Sequence, residues 1–157
     1  MFHSHVSVNA WTWAVDFSPC SEAALNYACF IAGRFGAKVH LLHVWEAPAF
    51  LPPETIVGSP ETGRTLAALA HQQAFELITD MARSARDRGF EIAGQDVAFG
   101  APARTIVGHA EENGHDLIVM GTHGRTGLMH VLLGSVAEKV VNFAKCPVLT
   151  VREPAGE

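Results

Sequence analysis

The sequence predicts an α/β domain: a doubly wound, five-stranded parallel sheet with helices on both faces. Three observations carry this. Strand-like and helix-like segments alternate along the chain. Strands that alternate with helices imply βαβ crossovers and hence a parallel sheet. One strand, residues 116–120 (DLIVM), is a continuous apolar run of the kind buried on both faces. Several helical segments open on Ser or Pro and close on Gly, as helix ends in soluble domains do. At 157 residues the chain fits a single domain spanning 1–157, large enough for one proper core.

The elements follow in order. Residues 6–15 (VSVNAWTWAV) are β-branched and aromatic enough for a strand, although Trp11 and Trp13 are bulky for a central one. Asp16-Phe17-Ser18-Pro19 ends it, with Ser18 a good N-cap and Pro19 suited to the first helical position. Residues 20–35 read as a helix, with Ala24, Ala28, Ile31 and Ala32 near one face and Gly36 at its end. Residues 38–45 (KVHLLHVW) form a short apolar strand. Segment 46–60 holds four of the eight prolines, so it is a long loop. Residues 61–88 read as one long helix stopped by Gly89. Residues 90–99 form a strand broken near Gly94, and 102–113 a helix opened by Pro102. After the strand at 116–120 comes a loop, 121–134, with four glycines. A helix over 135–144, capped by Ser135, and a strand over 147–151 complete the chain.

Composition bounds the function. Apolar residues make up 48% and charged residues 17%, which is globular rather than disordered. A net charge of −5 without a basic block argues against non-specific nucleic-acid binding. It leaves a small anion open, because local backbone dipoles hold one whatever the global charge. Three cysteines, Cys20, Cys29 and Cys146, make no C-x-x-C, so no disulfide framework is expected. The start, MFHSHVSVNA, has neither the charged nor the apolar region of a signal peptide. No apolar run approaches the roughly 20 residues of a membrane helix. A soluble, cytoplasmic protein is expected.

In a doubly wound sheet, ligands bind beyond the carboxyl ends of the strands, where the winding reverses. Two segments leave such ends with unusual chemistry: Asp16-Phe17-Ser18, and Gly121-Thr122-His123-Gly124. Gly121 and Gly124 let backbone approach a ligand, and Gly134 does the same before the last helix. Ser135, Val136 and Ala137 then offer first-turn N–H groups and a helix dipole to an anion. Glycines after a strand are often only turn residues and a Ser before a helix only a cap. Their combination at this place favours phosphate.

Gly121-x2-Gly124-x9-Gly134-Ser135 has the spacing of the nucleotide-binding signature G-2x-G-9x-G-[S/T] of universal stress proteins, which the chain resembles. AVDFSPCSEAAL, LLHV, DLIVMGTHGRTG, LLGSVAEKVV and CPVLTVR agree, so the resemblance runs from about residue 6 to 152. It implies strand order 3-2-1-4-5 and a site for ATP, or for AMP or ADP, with a divalent cation such as Mg2+ or Mn2+. Asp16 would hold the adenosine, and Val44 would meet the adenine with its backbone. Met120, Gly121 and Gly124 would line ribose and phosphate, with His123 and Arg125 nearby. Gly134, Ser135 and Val136 would take the phosphates. The resemblance further implies a homodimer paired through the last strand, 147–151. In one departure, Trp11 and Trp13 stand where the family carries small aliphatics, which would reshape the core or the base pocket.

The remaining candidates divide. Asp16 is a catalytic carboxylate, a solvated one or a nucleoside contact, and its place in the crevice favours the contact. Arg125 faces phosphate or is solvated. Nine histidines raise the question of a metal, but none makes H-E-x-x-H or a Cys/His finger. His40 and His43 fall on opposite faces of their strand, so no metal site is expected. His130 flanks the loop, and His3, His5, His71, His109 and His115 are expected at the surface. Cys20, in a first helical turn, is more simply a passive thiol than a redox centre. Among functions, a stress or signalling module with at most slow ATP hydrolysis leads. An adenylyl-transfer enzyme would need H-x-G-H where DFSPCS stands, a P-loop kinase needs a motif the chain lacks, and a receiver domain needs an Asp where VAFG stands. A dimeric adapter with an unused pocket is the other alternative.

Overall fold

The computed structural model describes residues 9–123 and 133–152. Its strands are β1 (Ala10–Val15), β2 (Lys38–Trp45), β3 (Ile92–Phe99), β4 (Leu117–Gly121) and β5 (Val148–Val151). Its helices are α1 (Pro19–Phe35), α2 (Leu66–Asp87), α3 (Pro102–Glu112) and α4 (Ser135–Phe143). The strands pair in parallel in the order β3-β2-β1-β4-β5. The chain winds outward from β1 through β2 to β3. It then crosses back through α3 to lay β4 on the other edge of β1, so the winding reverses between β1 and β4.

Side-chain alternation divides the core in two. On one face Trp11, Trp13, Val39, Leu41 and Val119 meet α1 through Ala24, Leu25, Ala28 and Ala32, and α2 through Ile78, Ala82 and Ala85. On the other, Ala14, Leu42, Ile118 and Met120 meet α3 through Ala103, Ile106, Val107 and Ala110, and α4 through Ala137 and Val140. The alanine-rich face of α1 lets it lie close to a strand bearing two tryptophans. Both rings are fully buried on the α1/α2 face. Burying them removes large apolar areas from water, at roughly 25 cal/mol per Å².

Most expected element ends hold to within one residue, and the larger exceptions have local causes. Helix α1 starts at Pro19, with the Ser18 hydroxyl accepting the Ser21 N–H and Gly36 closing it at φ +66°. Helix α2 starts at Leu66 rather than residue 61. Residues Pro60–Thr62 form only a 3-10 turn, Gly63 takes φ +58°, and Thr65 caps the helix by accepting the Ala68 N–H. Strand β3 is continuous through Gly94. It carries a bulge instead of a break, since Val39 pairs with Ile92 and His40 with Gly94. Helix α4 is capped by Gly134, and Ser135 is its first helical residue rather than its cap. Of the first expected strand, residues 6–8 lie outside the described residues.

Candidate functional site

At the reversal between β1 and β4 the carboxyl ends of the strands open into a cleft of about 230 Å³. Its floor is apolar: Ala14 from β1, Leu42 and Val44 from β2, Met120 from β4 and Ile106 from α3. Asp16, Gly121, Thr122 and His123 also line it, together with Gly134, Ser135, Val136 and Ala137. Eight residues expected from the sequence thus share one cleft: Asp16, Val44, Met120, Gly121, His123, Gly134, Ser135 and Val136. Gly124 and Arg125 lie outside the described residues, as does His130. Ala14, Leu42 and Ile106 were not singled out in the sequence. The signal for Ala14 and Leu42 is only the strand alternation that turns them toward the α3/α4 face, and for Ile106 its place on the buried side of α3.

The Asp16 turn is tightly built. Asp16 Oδ1 accepts from the Ser18 N–H at 3.0 Å and from the Ser18 hydroxyl at 2.5 Å. The Ser18 hydroxyl also lies 3.5 Å from the His123 carbonyl oxygen, so the loops after β1 and β4 meet. Phe17 between them holds φ +61°, an uncommon conformation for a bulky side chain. Its ring packs against His43, centroids 4.6 Å apart, and the His43 Nδ1–H donates to the Val15 carbonyl at 2.7 Å. Strain of this kind persists where surrounding contacts fix it.

Two glycines have reasons beyond ligand approach. A Cβ on Gly121 would stand 2.9 Å from Cys20 Cβ and 3.0 Å from the Cys20 carbonyl carbon, so its absence lets the first turn of α1 pack on β4. A Cβ on Gly134 would stand 3.0 Å from the Thr122 carbonyl oxygen, to which the Gly134 N–H donates at 2.7 Å. That N–H is therefore engaged by protein. The first-turn groups of Ser135, Val136 and Ala137 line the cleft behind a residue with no capping side chain. First-turn donors of this kind, with the helix dipole, favour an anion. Trp11 and Trp13 belong to the opposite face of the sheet and do not line the cleft.

The histidines depart from expectation. His109 and His115 are not surface residues: they are half-buried beside His40, toward the amino ends of the strands. Burial, then the neighbouring His109 and His40, pushes the His115 imidazole down to about 4. Burial and His40 also lower that of His109, against the pull of Asp96. His71 is partly buried, stacked between Phe75 and Phe99. Cys20 and Cys29 are buried, and burial pushes the Cys29 thiol up to about 11, as an inert core residue. Among the described residues no helix is long and apolar enough to cross a membrane.

Comparison with known proteins agrees with this architecture. The model of the universal stress protein family matches residues 12–152. A universal stress protein of Methanocaldococcus jannaschii is 38% identical over 144 residues, covering 90% of this chain and 81% of the relative. A second one from that archaeon, of known structure, superposes with a TM-score of 0.80 at 29% identity, over 96% of this chain and 100% of the other. The structure of a universal stress protein from Archaeoglobus fulgidus in complex with dAMP has the same fold, with a TM-score of 0.63 at 24% identity over 92% and 97% of the two chains. By sequence, topology and strand order the chain belongs to the universal stress protein family.

Proposed function

We propose that the cleft binds an adenine nucleotide and that the chain acts in the cytoplasm as a stress-response or signalling module, with at most slow ATP hydrolysis. The observation that carries this is one juxtaposition: an apolar floor, the Asp16 carboxylate, and the glycine-capped start of α4 around a single cleft. The floor suits a flat, weakly polar base, and Asp16 suits a ribose hydroxyl. The start of α4 suits phosphate. The cleft is smaller than the roughly 300–1,000 Å³ of pockets that enclose a drug-sized ligand. Base and sugar fill it in this reading, and the phosphates lie at its mouth against Ser135 and Val136. The family signature would add Gly124 and Arg125 to the phosphate side, with Mg2+ or Mn2+ accompanying the longer phosphate chains. ATP, ADP and AMP share every contact named here except the outer phosphates. The dAMP complex of the Archaeoglobus fulgidus protein supports an adenine ligand. The same reading includes a homodimer formed through the edge strand β5, Val148–Val151, since an open strand edge invites pairing.

Two measurements test this. Heat-released small molecules from the purified chain, identified by mass, should include an adenine nucleotide. Calorimetry with ATP and magnesium should give micromolar binding, around −8 kcal/mol. Asp16→Ala should weaken ATP more than inorganic triphosphate, and equal weakening would mean that Asp16 does not read the nucleoside. An empty protein that also fails to bind added ATP with magnesium overturns the assignment in favour of the adapter.

A further inference from the structure

Three side chains from three different elements converge at the other end of the α3 face, away from the cleft. His40 comes from β2, Asp96 from β3 and His109 from α3. Their ligand atoms all lie within 4.8 Å of one another. His40 Nε2 stands 2.9 Å from Asp96 Oδ2, and His109 Nε2 stands 3.5 Å from the same oxygen. We propose that His40, Asp96 and His109 form a binding site for a divalent transition-metal ion of the zinc class.

The distances fit. Ligands held about 2.0–2.1 Å from a tetrahedral zinc are about 3.3 Å apart. Two of the three separations bracket that value, and the third is no more than 4.8 Å. The donor set selects the ion, because two imidazoles and one carboxylate suit zinc, cobalt or nickel, whereas magnesium and calcium take oxygen. Three protein ligands leave a fourth position for water.

Further features single the cluster out from an ordinary histidine–carboxylate pair. His109 Nε2 is buried, and its contact with Asp96 Oδ2, at 3.5 Å, is too long and poorly aligned for a good hydrogen bond. A buried polar atom so weakly engaged is costly, and a cation engages it fully. On the far side of the ring, His109 Nδ1 lies 3.4 Å from the Thr12 hydroxyl, which also lies 2.6 Å from His115 Nδ1. That hydroxyl has one proton. When it donates to His115 it accepts from the His109 Nδ1–H, and a neutral His109 then turns a bare Nε2 lone pair toward Asp96. Metal-bound histidines are characteristically oriented by such a hydrogen bond at the other nitrogen. Gly94 shapes the seat for His40, since a Cβ there would stand 2.8 Å from its Cε1.

The test uses the full chain, stripped with a chelator and titrated with Zn2+ by calorimetry. One equivalent should bind, and bound Co2+ should give the visible absorption of a low-coordinate site. Asp96→Ala and His109→Gln should each weaken Zn2+ by about 100-fold or more, beyond the usual effect of an outer-shell partner. The Asp96 side chain is 58% exposed, so Asp96→Ala leaves the core intact and decides the matter if His109→Gln does not fold. The double change His3→Gln with His5→Gln should leave binding unchanged. The site is overturned if the unaltered chain binds no stoichiometric Zn2+, if binding survives Asp96→Ala, or if it disappears with His3 and His5.

Discussion

Gly121 illustrates how one residue serves two ends. It borders the cleft, yet its missing Cβ is demanded from behind, by the Cys20 backbone. Gly121→Ala forces a rigid contact apart, so we expect a loss of about 1–3 kcal/mol in urea unfolding, typical of overpacking. Ser18 carries a comparable double load as helix cap and as partner of Asp16. Ser18→Ala should cost about 1 kcal/mol of stability by the same measurement, in line with lost caps elsewhere. A loss well below this would mean that water replaces the hydroxyl at both contacts.

On the proposed function, the start of α4 is the element that would take the phosphates. Ser135 occupies the first helical position and Gly134 before it holds φ −69° and ψ 157°, the extended conformation required ahead of proline. Ser135→Pro therefore keeps the helix while deleting one N–H and the hydroxyl. Removing a hydrogen bond to a charged partner costs on the order of 1.5–3 kcal/mol, so ATP affinity should fall about tenfold or more. Ser135→Ala separates the hydroxyl from the N–H, and unchanged ATP affinity in Ser135→Pro would remove α4 from the site. Much at this scale was legible in the sequence. Strand β2 occupies the expected residues 38–45, and α1 begins one residue before expectation at its proline. Propensity misled where a single backbone angle decides. The helical pattern of the following residues is carried back over 61–64, but Gly63 turns left-handed and delays α2 to Leu66. Gly94 read as a break, whereas the sheet absorbs it as a bulge. The cleft was legible because glycine spacing and strand ends are local features. The histidine cluster was not, because His40 and His109 lie far apart in sequence and meet only through the β2–β3 register and the packing of α3.

At the scale of the whole molecule, acid should act through that cluster. The folded pKa of His115 is lowered from 6.5 to about 4, while the unfolded chain protonates near its ordinary value. Between these values the unfolded state binds more protons, so stability is complete above the ordinary range and is lost as pH falls toward about 4. The urea midpoint should be lower at about pH 5 than at about pH 7.5, and His115→Asn should flatten that dependence. A slope unchanged by His115→Asn would place the acid sensitivity elsewhere.

The reversal of winding between β1 and β4 also governs the order in which the molecule can be assembled. Strand β1 receives β2 on one edge early, after a single helix. Its other edge waits for β4, with Trp11 pairing Leu117 across roughly 100 residues of chain. A ribosome adding residues from the amino end therefore releases a half-sheet of β3, β2 and β1 whose central-strand edge is still bare. The cleft, which needs both loops beside that edge, comes into being only when the last third of the chain emerges. On the proposed function, nucleotide binding then coincides with completion of the fold.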